Sequence, residues 1–152
     1  MPRRKQNPQS LKQTVSTAIK KIVWRVAIYI RLSKDDGNDE SYSVKNQRER
    51  LNDTLEQLML DEDGIEFVGY YIDDGFTGVD SDRDDFQRLL TDIHNGKVNC
   101  VLVKDLSRLS RNDWECKYYL QMLFVKMNVR FISLELPKLD SFKRPEGVYE
   151  LD

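Results

Sequence analysis

The sequence predicts an α/β fold with a mostly parallel sheet of about four to five strands, flanked by helices. Segments rich in β-branched and aromatic residues alternate with segments whose apolar residues recur at helical spacing. This alternation is typical of strand–helix–strand units, in which helices join parallel strands and cover the faces of the sheet. A chain of 152 residues is also long enough to bury the core of one such domain.

Four segments are predicted to be strands because they are short, apolar and rich in β-branched and aromatic residues. They are 22–32 (IVWRVAIYIRL), 65–72 (IEFVGYYI), 99–104 (NCVLVK) and 129–135 (VRFISLE). In the first, side chains alternate between the two faces, so Tyr29, Arg31 and Ser33 project to one side. A guanidinium and a hydroxyl therefore lie together where the strand gives way to an acidic, solvated loop, 34–40 (KDDGNDE).

Three helices are predicted between these strands. The first carries an apolar stripe of Leu51, Leu55, Leu58 and Met59. The second carries Phe86, Leu89, Leu90 and Ile93, and is ended by Asn95-Gly96. The third runs from about Asn112 to Met127, with one side formed by Trp114, Tyr118, Met122 and Val125.

The composition excludes a membrane-embedded protein. The chain is 39% hydrophobic and 33% charged, and its apolar runs are far shorter than the roughly 20 residues of a spanning helix. No secretory hydrophobic region opens the sequence, so we expect a cytoplasmic protein that does not bind membranes. Cys100 and Cys116 lack the spacing of a metal site or a redox pair, so we assign them no function.

Charge is distributed unevenly along the chain. Residues 1–25 hold seven of the 24 basic residues and none of the 26 acidic ones, so the remainder carries a net charge near −9. Because affinity for nucleic acid comes mainly from phosphate neutralisation by Lys and Arg, an acidic body argues against strong autonomous binding. We expect the first 22 residues to form a basic leader, flexible or helical, that is solvated.

Polar groups follow three of the predicted strands, at the edge where functional groups of α/β sheets collect. Arg31 and Ser33 end the first strand, the segment 73–83 (DDGFTGVDSDR) follows the second, and the segment 104–112 (KDLSRLSRN) follows the third. The only histidine, His94, ends a predicted helix, so a serine-hydrolase triad around Ser33 is excluded. A serine near several arginines instead suits attack on a phosphodiester, because guanidinium groups bind the non-bridging oxygens and stay charged. Such a site needs no metal or other cofactor.

Four motifs in one order resemble the catalytic domain of serine site-specific recombinases, the resolvase/invertase superfamily. They are YIRLS (29–33), SVKNQRERL (43–51), DDGFTGVDSDRDDFQRLL (73–90) and VLVKDLSRLSRN (101–112). The resemblance covers about residues 24–135 and is strongest to the large transposon and phage integrases. It implies a resolvase-like catalytic domain at 23–136, between the leader and an irregular tail at 137–152.

The resemblance implies that Ser33 is a nucleophile that becomes joined to a DNA 5′ phosphate and leaves a free 3′ hydroxyl. Strands would be exchanged on double-stranded DNA within a dimer or tetramer and then rejoined, without ATP or metal. The scissile phosphate would be bound by Arg31, Arg108 and Arg111. Supporting active-site residues would be Gln47, Thr77 and Arg83, and these three rest on the resemblance alone.

The chain departs from the family pattern at two places. Small resolvases have an aspartate directly before the first arginine of the fourth motif, where this chain has Ser107 and, two residues earlier, Asp105. The tail has neither a helical stripe nor zinc-ligand spacing, so the family's DNA-binding region is predicted to be absent, and the chain alone should bind DNA weakly. An inactive truncated recombinase with a regulatory role therefore stays an alternative.

Two other classes of protein also fit part of the pattern. A receiver-like signalling domain would use Asp35, Asp36, Asp73 and Lys104, and a metal nuclease would use Asp73, Asp74 and Asp82. Neither class of protein explains the arginines that follow the first and third predicted strands. The plainest interpretation makes Ser33 a turn residue and pairs the arginines with nearby aspartates.

Overall fold

The computed structural model describes residues 21–32, 43–73 and 83–151. Within these ranges one sheet contains β1 (Trp24–Arg31), β2 (Ile65–Asp73), β3 (Cys100–Val103), β4 (Arg130–Ser133) and β5 (Leu139–Asp140). The strand order is β2-β1-β3-β4-β5, and β1 to β4 are parallel while β5 runs antiparallel to β4. The predicted α/β fold with a mostly parallel sheet is confirmed.

Helices cover both faces of the sheet in the described ranges. The first two are α1 (Val44–Asp61) and α2 (Asp84–His94). The third, α3, joins an α-helical segment (Asp113–Tyr118), a π-helical turn (Tyr119–Leu123) and a final α-helical turn (Phe124–Lys126). Shorter 3-10 helices span Leu106–Arg108 and Pro145–Tyr149.

The interior strand β1 is buried on both sides, as its continuous apolar sequence predicts. Val26, Ile28 and Ile30 pack against α1 through a core that includes Leu51 and Leu55. The alternate residues Ala27 and Tyr29 belong to a second core, formed with α2 and α3. The period of two therefore places the side chains of Tyr29 and Arg31 on the α2 and α3 side.

Helix α3 packs through the side that the sequence did not single out. Cys116, Leu120 and Phe124 are buried in the second core. The predicted stripe faces solvent instead, with exposed fractions between 46% and 73% at Tyr118, Val125, Met122 and Trp114. Both sides of α3 are apolar, so spacing alone does not distinguish the packed side from the open one.

The segment after Pro137 is more regular than its composition predicts. It contributes β5 to the sheet, and the 3-10 helix Pro145–Tyr149 buries Val148 in the second core. The buried Arg130 at the start of β4 holds this segment to α1. Its guanidinium donates to both carboxylate oxygens of Glu62, at 2.9 and 2.8 Å, and to both of Asp140, at 3.0 and 2.7 Å.

These ion pairs shift the pKa values of all three groups. The hydrogen bond from Arg130 lowers the pKa of Glu62. At Asp140, burial raises the pKa, but the hydrogen bond and charge of Arg130 together with the N–H groups of Lys143 and Phe142 outweigh it, so the pKa is lowered overall. Burial works against the charged form of Arg130, yet the two carboxylates raise its pKa. No helix in the described ranges is long and apolar enough to span a membrane.

Candidate active site

The candidate site lies at the carboxyl ends of β1 and β3, where the direction of the chain connections changes. After β1 the chain forms α1 on one face of the sheet, and after β3 it forms α3 on the other. Neighbouring strands whose following helices diverge in this way leave a crevice between them, which is where α/β sheets bind ligands. Arg31 ends β1, and the segment that follows β3 carries Arg108 and Arg111.

Arg31 and Arg108 join the end of β1 to the segment after β3 through hydrogen bonds to the main chain. The Nη2 of Arg31 donates to the carbonyl oxygen of Ser107 at 2.8 Å, and the Nη1 of Arg108 donates to the carbonyl oxygen of Arg31 at 2.6 Å. Arg108 is almost fully buried and also pairs with the carboxylate of Asp105 at 3.4 Å. These bonds fix the end of β1 against the 3-10 helix that follows β3.

Arg83 joins the same group from the residue before α2. Its Nη2 donates to the carbonyl oxygen of Arg108 at 3.1 Å and lies 3.4 Å from the hydroxyl of Tyr29. The guanidinium carbon lies 3.8 Å from the ring centroid of Phe86, a cation–π contact that fixes the plane of the group. Three arginines from three separate parts of the chain are thus linked through three backbone carbonyls, those of Ser107, Arg31 and Arg108.

The four arginines Arg31, Arg83, Arg108 and Arg111, here called the arginine cluster, create a strongly positive site. Burial is the main cause that lowers the pKa of Arg31, and the like charges of Arg83, Arg111 and Arg108 lower it further. Among the described residues, neither Arg31 nor Arg83 pairs with a carboxylate. Concentrated positive charge next to solvent is the arrangement that binds a phosphate.

Gln47 reaches the cluster from the first turn of α1. The helix starts at Ser43, whose hydroxyl accepts a hydrogen bond from the N–H of Asn46 at 3.1 Å. Gln47 is fully buried, and its Nε2 lies 3.5 Å from the carbonyl oxygen of Arg31. The same carbonyl therefore faces both Gln47 and Arg108.

Asp73 anchors the site, a role that the sequence did not reveal. Its carboxylate accepts hydrogen bonds from the Tyr29 hydroxyl at 2.7 Å and from the N–H groups of Asp85 and Phe86 at 2.9 and 3.0 Å. Burial is the main reason that the pKa of Tyr29 is raised. Asp73 thus stabilises the start of α2, directly after Arg83. Three donors occupy its carboxylate, which is the group that a receiver or a metal nuclease would use.

Comparison with protein families decides between the predicted classes. Residues 26–148 match the family model described as the resolvase N-terminal domain. The chain belongs to the resolvase family. This membership favours neither the receiver nor the metal nuclease. The match also continues 13 residues past position 135, where the sequence motifs ended.

Several solved structures are similar to this chain. The N-terminal catalytic domain of TP901-1 integrase is 32% identical, with a TM-score of 0.66, over 82% of this chain and 87% of that one. A resolvase-family site-specific recombinase from Streptococcus pneumoniae is 29% identical, with a TM-score of 0.62, over 83% and 81%. The catalytic domain of ISC1926 TnpA, an IS607-like serine recombinase, shares the fold at 24% identity and a TM-score of 0.55, over 72% and 70%. A comparison with curated proteins finds no match.

In this resolvase-family chain, Ser107 replaces the aspartate of the small resolvases but stays coupled to a carboxylate. The Ser107 hydroxyl donates to Asp105, which also accepts from the Ser107 N–H at 3.0 Å. Asp105 caps the 3-10 helix and is buried. The carboxylate is therefore displaced by two residues along the chain, and it still contacts the arginine cluster directly through Arg108.

The described ranges bring together five of the seven residues that the sequence selected. These are Gln47 and the four members of the arginine cluster. Ser33 and Thr77 lie outside the described residues, as do Asp35, Asp36, Asp74 and Asp82. Lys104, the remaining receiver candidate, is buried and pairs with Glu135 at 3.6 Å.

Proposed function

We propose that this chain is the catalytic domain of a DNA site-specific recombinase in which Ser33 is the nucleophile. The Ser33 oxygen loses its proton and bonds to a backbone phosphorus, while the bond from phosphorus to the 3′ oxygen breaks and that oxygen takes up a proton. The product is a 5′ phosphoserine link and a free 3′ hydroxyl. In the reverse step a 3′ hydroxyl from another strand attacks the same phosphorus and releases the serine.

The observation that carries the proposal is the convergence of the arginine cluster at the end of β1. Its member Arg31 stands two residues before Ser33 in the sequence. Arg31, Arg83 and Arg108 are linked by hydrogen bonds of 2.6 to 3.1 Å through main-chain carbonyls, and Arg111 adds its charge beside them. A pentacoordinate phosphorus carries more negative charge on its oxygens than the starting diester, so fixed cations favour it. By analogy with an oxyanion-hole donor, each well-placed guanidinium contributes about 2.7–4 kcal/mol.

Roles within this proposal follow the geometry and the family motifs. Arg31, Arg108 and Arg111 bind the scissile phosphate, and Arg83 holds the cluster against Tyr29 and α2. Gln47 and Thr77 are supporting residues. Because the serine–phosphate bond conserves the energy of the phosphodiester, the cycle consumes neither ATP nor metal. Double-stranded DNA is the substrate, and exchange takes place in a dimer or tetramer.

The direct test is the isolation of the covalent intermediate. The chain, at a concentration high enough to offset the weak DNA binding predicted from its sequence, is mixed with supercoiled plasmids that carry candidate sites, and DNA ends are examined for protein that survives denaturation. We expect protein on 5′ ends and free 3′ hydroxyls, both retained with a chelator present. Ser33→Ala should abolish the adduct, whereas Ser107→Ala, the matched serine control, should still form it.

Three results would contradict the proposal. An adduct that persists in Ser33→Ala would assign the nucleophile elsewhere. Attachment to 3′ ends would contradict the polarity of the reaction even if Ser33 were required. A catalytically inactive, regulatory chain would give no adduct with any variant on any site.

A further inference from the structure

A second cavity lies at the end of the sheet opposite the arginine cluster. Its volume is about 520 Å³, within the range of ligand pockets. It opens at the amino ends of the strands, since Trp24 begins β1, Arg130 begins β4 and Asn99 directly precedes β3. The rest of the lining is mostly apolar and comes from α3 and from the segment after β5.

The rim of this groove exposes apolar surface that the described residues leave uncovered. Ile22 and Val125 are each 50% exposed, Phe142 is 48% exposed and Tyr149 is 59% exposed. The charged residue in the lining, Arg130, pairs with two carboxylates, those of Glu62 and Asp140, which already balance its charge. The groove therefore suits an apolar partner.

The basic leader, residues 1–22, carries an apolar stripe that matches the apolar groove. Leu11, Val15, Ile19 and Ile22 recur at intervals of four, four and three residues, a spacing that places them on one side if the segment is helical. Basic residues of the leader fall elsewhere, at positions that include Lys12 and Lys20. The last member of the stripe, Ile22, already lines the groove.

We propose that the groove is the docking site for the leader of the same chain, through Leu11, Val15 and Ile19. Twenty residues precede the described range and enter it at the lip of the groove, so attachment gives the leader a high effective concentration there. Charge is complementary as well. The leader is basic without an acidic residue, and the residues that directly follow Pro145 and Tyr149 of the lining, Glu146 and Glu150, both pair with Arg144.

Methyl NMR of the full chain tests this assignment. Val15→Asp should shift the methyl resonances of Val125 and Val148 and leave those of Leu55, on the other face of the sheet, in place. The matched control is Thr17→Asp, which adds the same charge on the opposite side of the predicted helix and should shift none of them. Equal responses to the two variants, or no response to either, would overturn the proposal.

Disulfide trapping distinguishes the leader from a second copy of the chain. The natural cysteines Cys100 and Cys116 are buried, so the pair introduced by Ile19→Cys and Val125→Cys should oxidise selectively. We expect a monomer that migrates faster on a non-reducing gel, with less than a tenth of the protein as dimer. A predominant disulfide dimer would assign the groove to another copy, and an unreacted pair would exclude docking; either overturns the proposal.

Discussion

Replacing Arg130 with Met should destabilise the fold more than any exposed charge change. The buried guanidinium makes bidentate pairs with Glu62 and Asp140, and breaking a buried pair typically costs about 3–5 kcal/mol. Both carboxylates keep about a fifth of their side-chain surface exposed, 21% and 20%, so water partly hydrates them after the change. We therefore expect the lower end of that range, about 3 kcal/mol.

Urea denaturation at pH 7 measures this loss. With a slope of about 2 kcal/mol per M, typical for a small domain, the midpoint should fall by roughly 1.5 M. The matched control is Arg144→Met, which removes an arginine whose side chain is 65% exposed and whose two ion pairs lie at the surface. Surface pairs contribute about 0–1 kcal/mol, so the control midpoint should stay near that of the unchanged protein.

The difference in stability between Arg130→Met and the unchanged protein should depend on pH. The pKa values of Glu62 and Asp140 are lowered in the folded chain, so their stabilisation is complete above their unfolded values and is lost as the pH falls through the folded values. Unfolded carboxyls titrate near pH 4, so the gap between Arg130→Met and the unchanged protein should narrow below about pH 4. A variant within about 1 kcal/mol of the unchanged protein at pH 7 would refute the reasoning.

Three further outcomes are expected. Arg31→Lys keeps the charge but loses the planar fork, and should reduce adduct formation roughly 10²- to 10³-fold in a cleavage assay, whereas Arg144→Lys should not change it. In thermal denaturation, Gly64→Ala should be more destabilising than Gly96→Ala. Both glycines have a positive φ, 76° and 77°, but only at Gly64 does an added Cβ meet a backbone carbonyl, at 2.9 Å. Burial raises the pKa of Cys100 to about 12, so this thiol should react with a disulfide reagent at pH 8 only after unfolding, and rapid labelling of the native chain would contradict this.

The sequence predicted the strands well because β1 and β3 are buried on both faces, which produces uninterrupted apolar runs. It did not predict β5, since a two-residue strand has no periodicity to detect. The role of Asp73 was also hidden among many acidic residues. That role depends on the hydroxyl of Tyr29, 44 positions away, and on two N–H groups of α2.

The arrangement of the candidate site could also be predicted only in part from the sequence. Arg31 and Arg108 could be selected from the sequence, because arginines at the ends of neighbouring parallel strands must lie close together. The position of Arg83 could not, since it depends on contacts with Phe86 and with a carbonyl 25 positions along the chain. Spacing within a motif does not encode such contacts between distant segments.

The carbonyls that hold Arg31, Arg83 and Arg108 have a consequence for how the site would accept a ligand. A phosphate oxygen that accepts the Nη2 hydrogen of Arg31 now donated to the Ser107 carbonyl, at 2.8 Å, would have to displace that carbonyl. Phosphate binding would then exchange one hydrogen-bond acceptor for another. The new bond from one arginine to the phosphate would release the backbone carbonyl that helps to position the next arginine. Paired arginine substitutions should accordingly produce losses that differ from the sum of the single ones, the signature of residues that act as one unit.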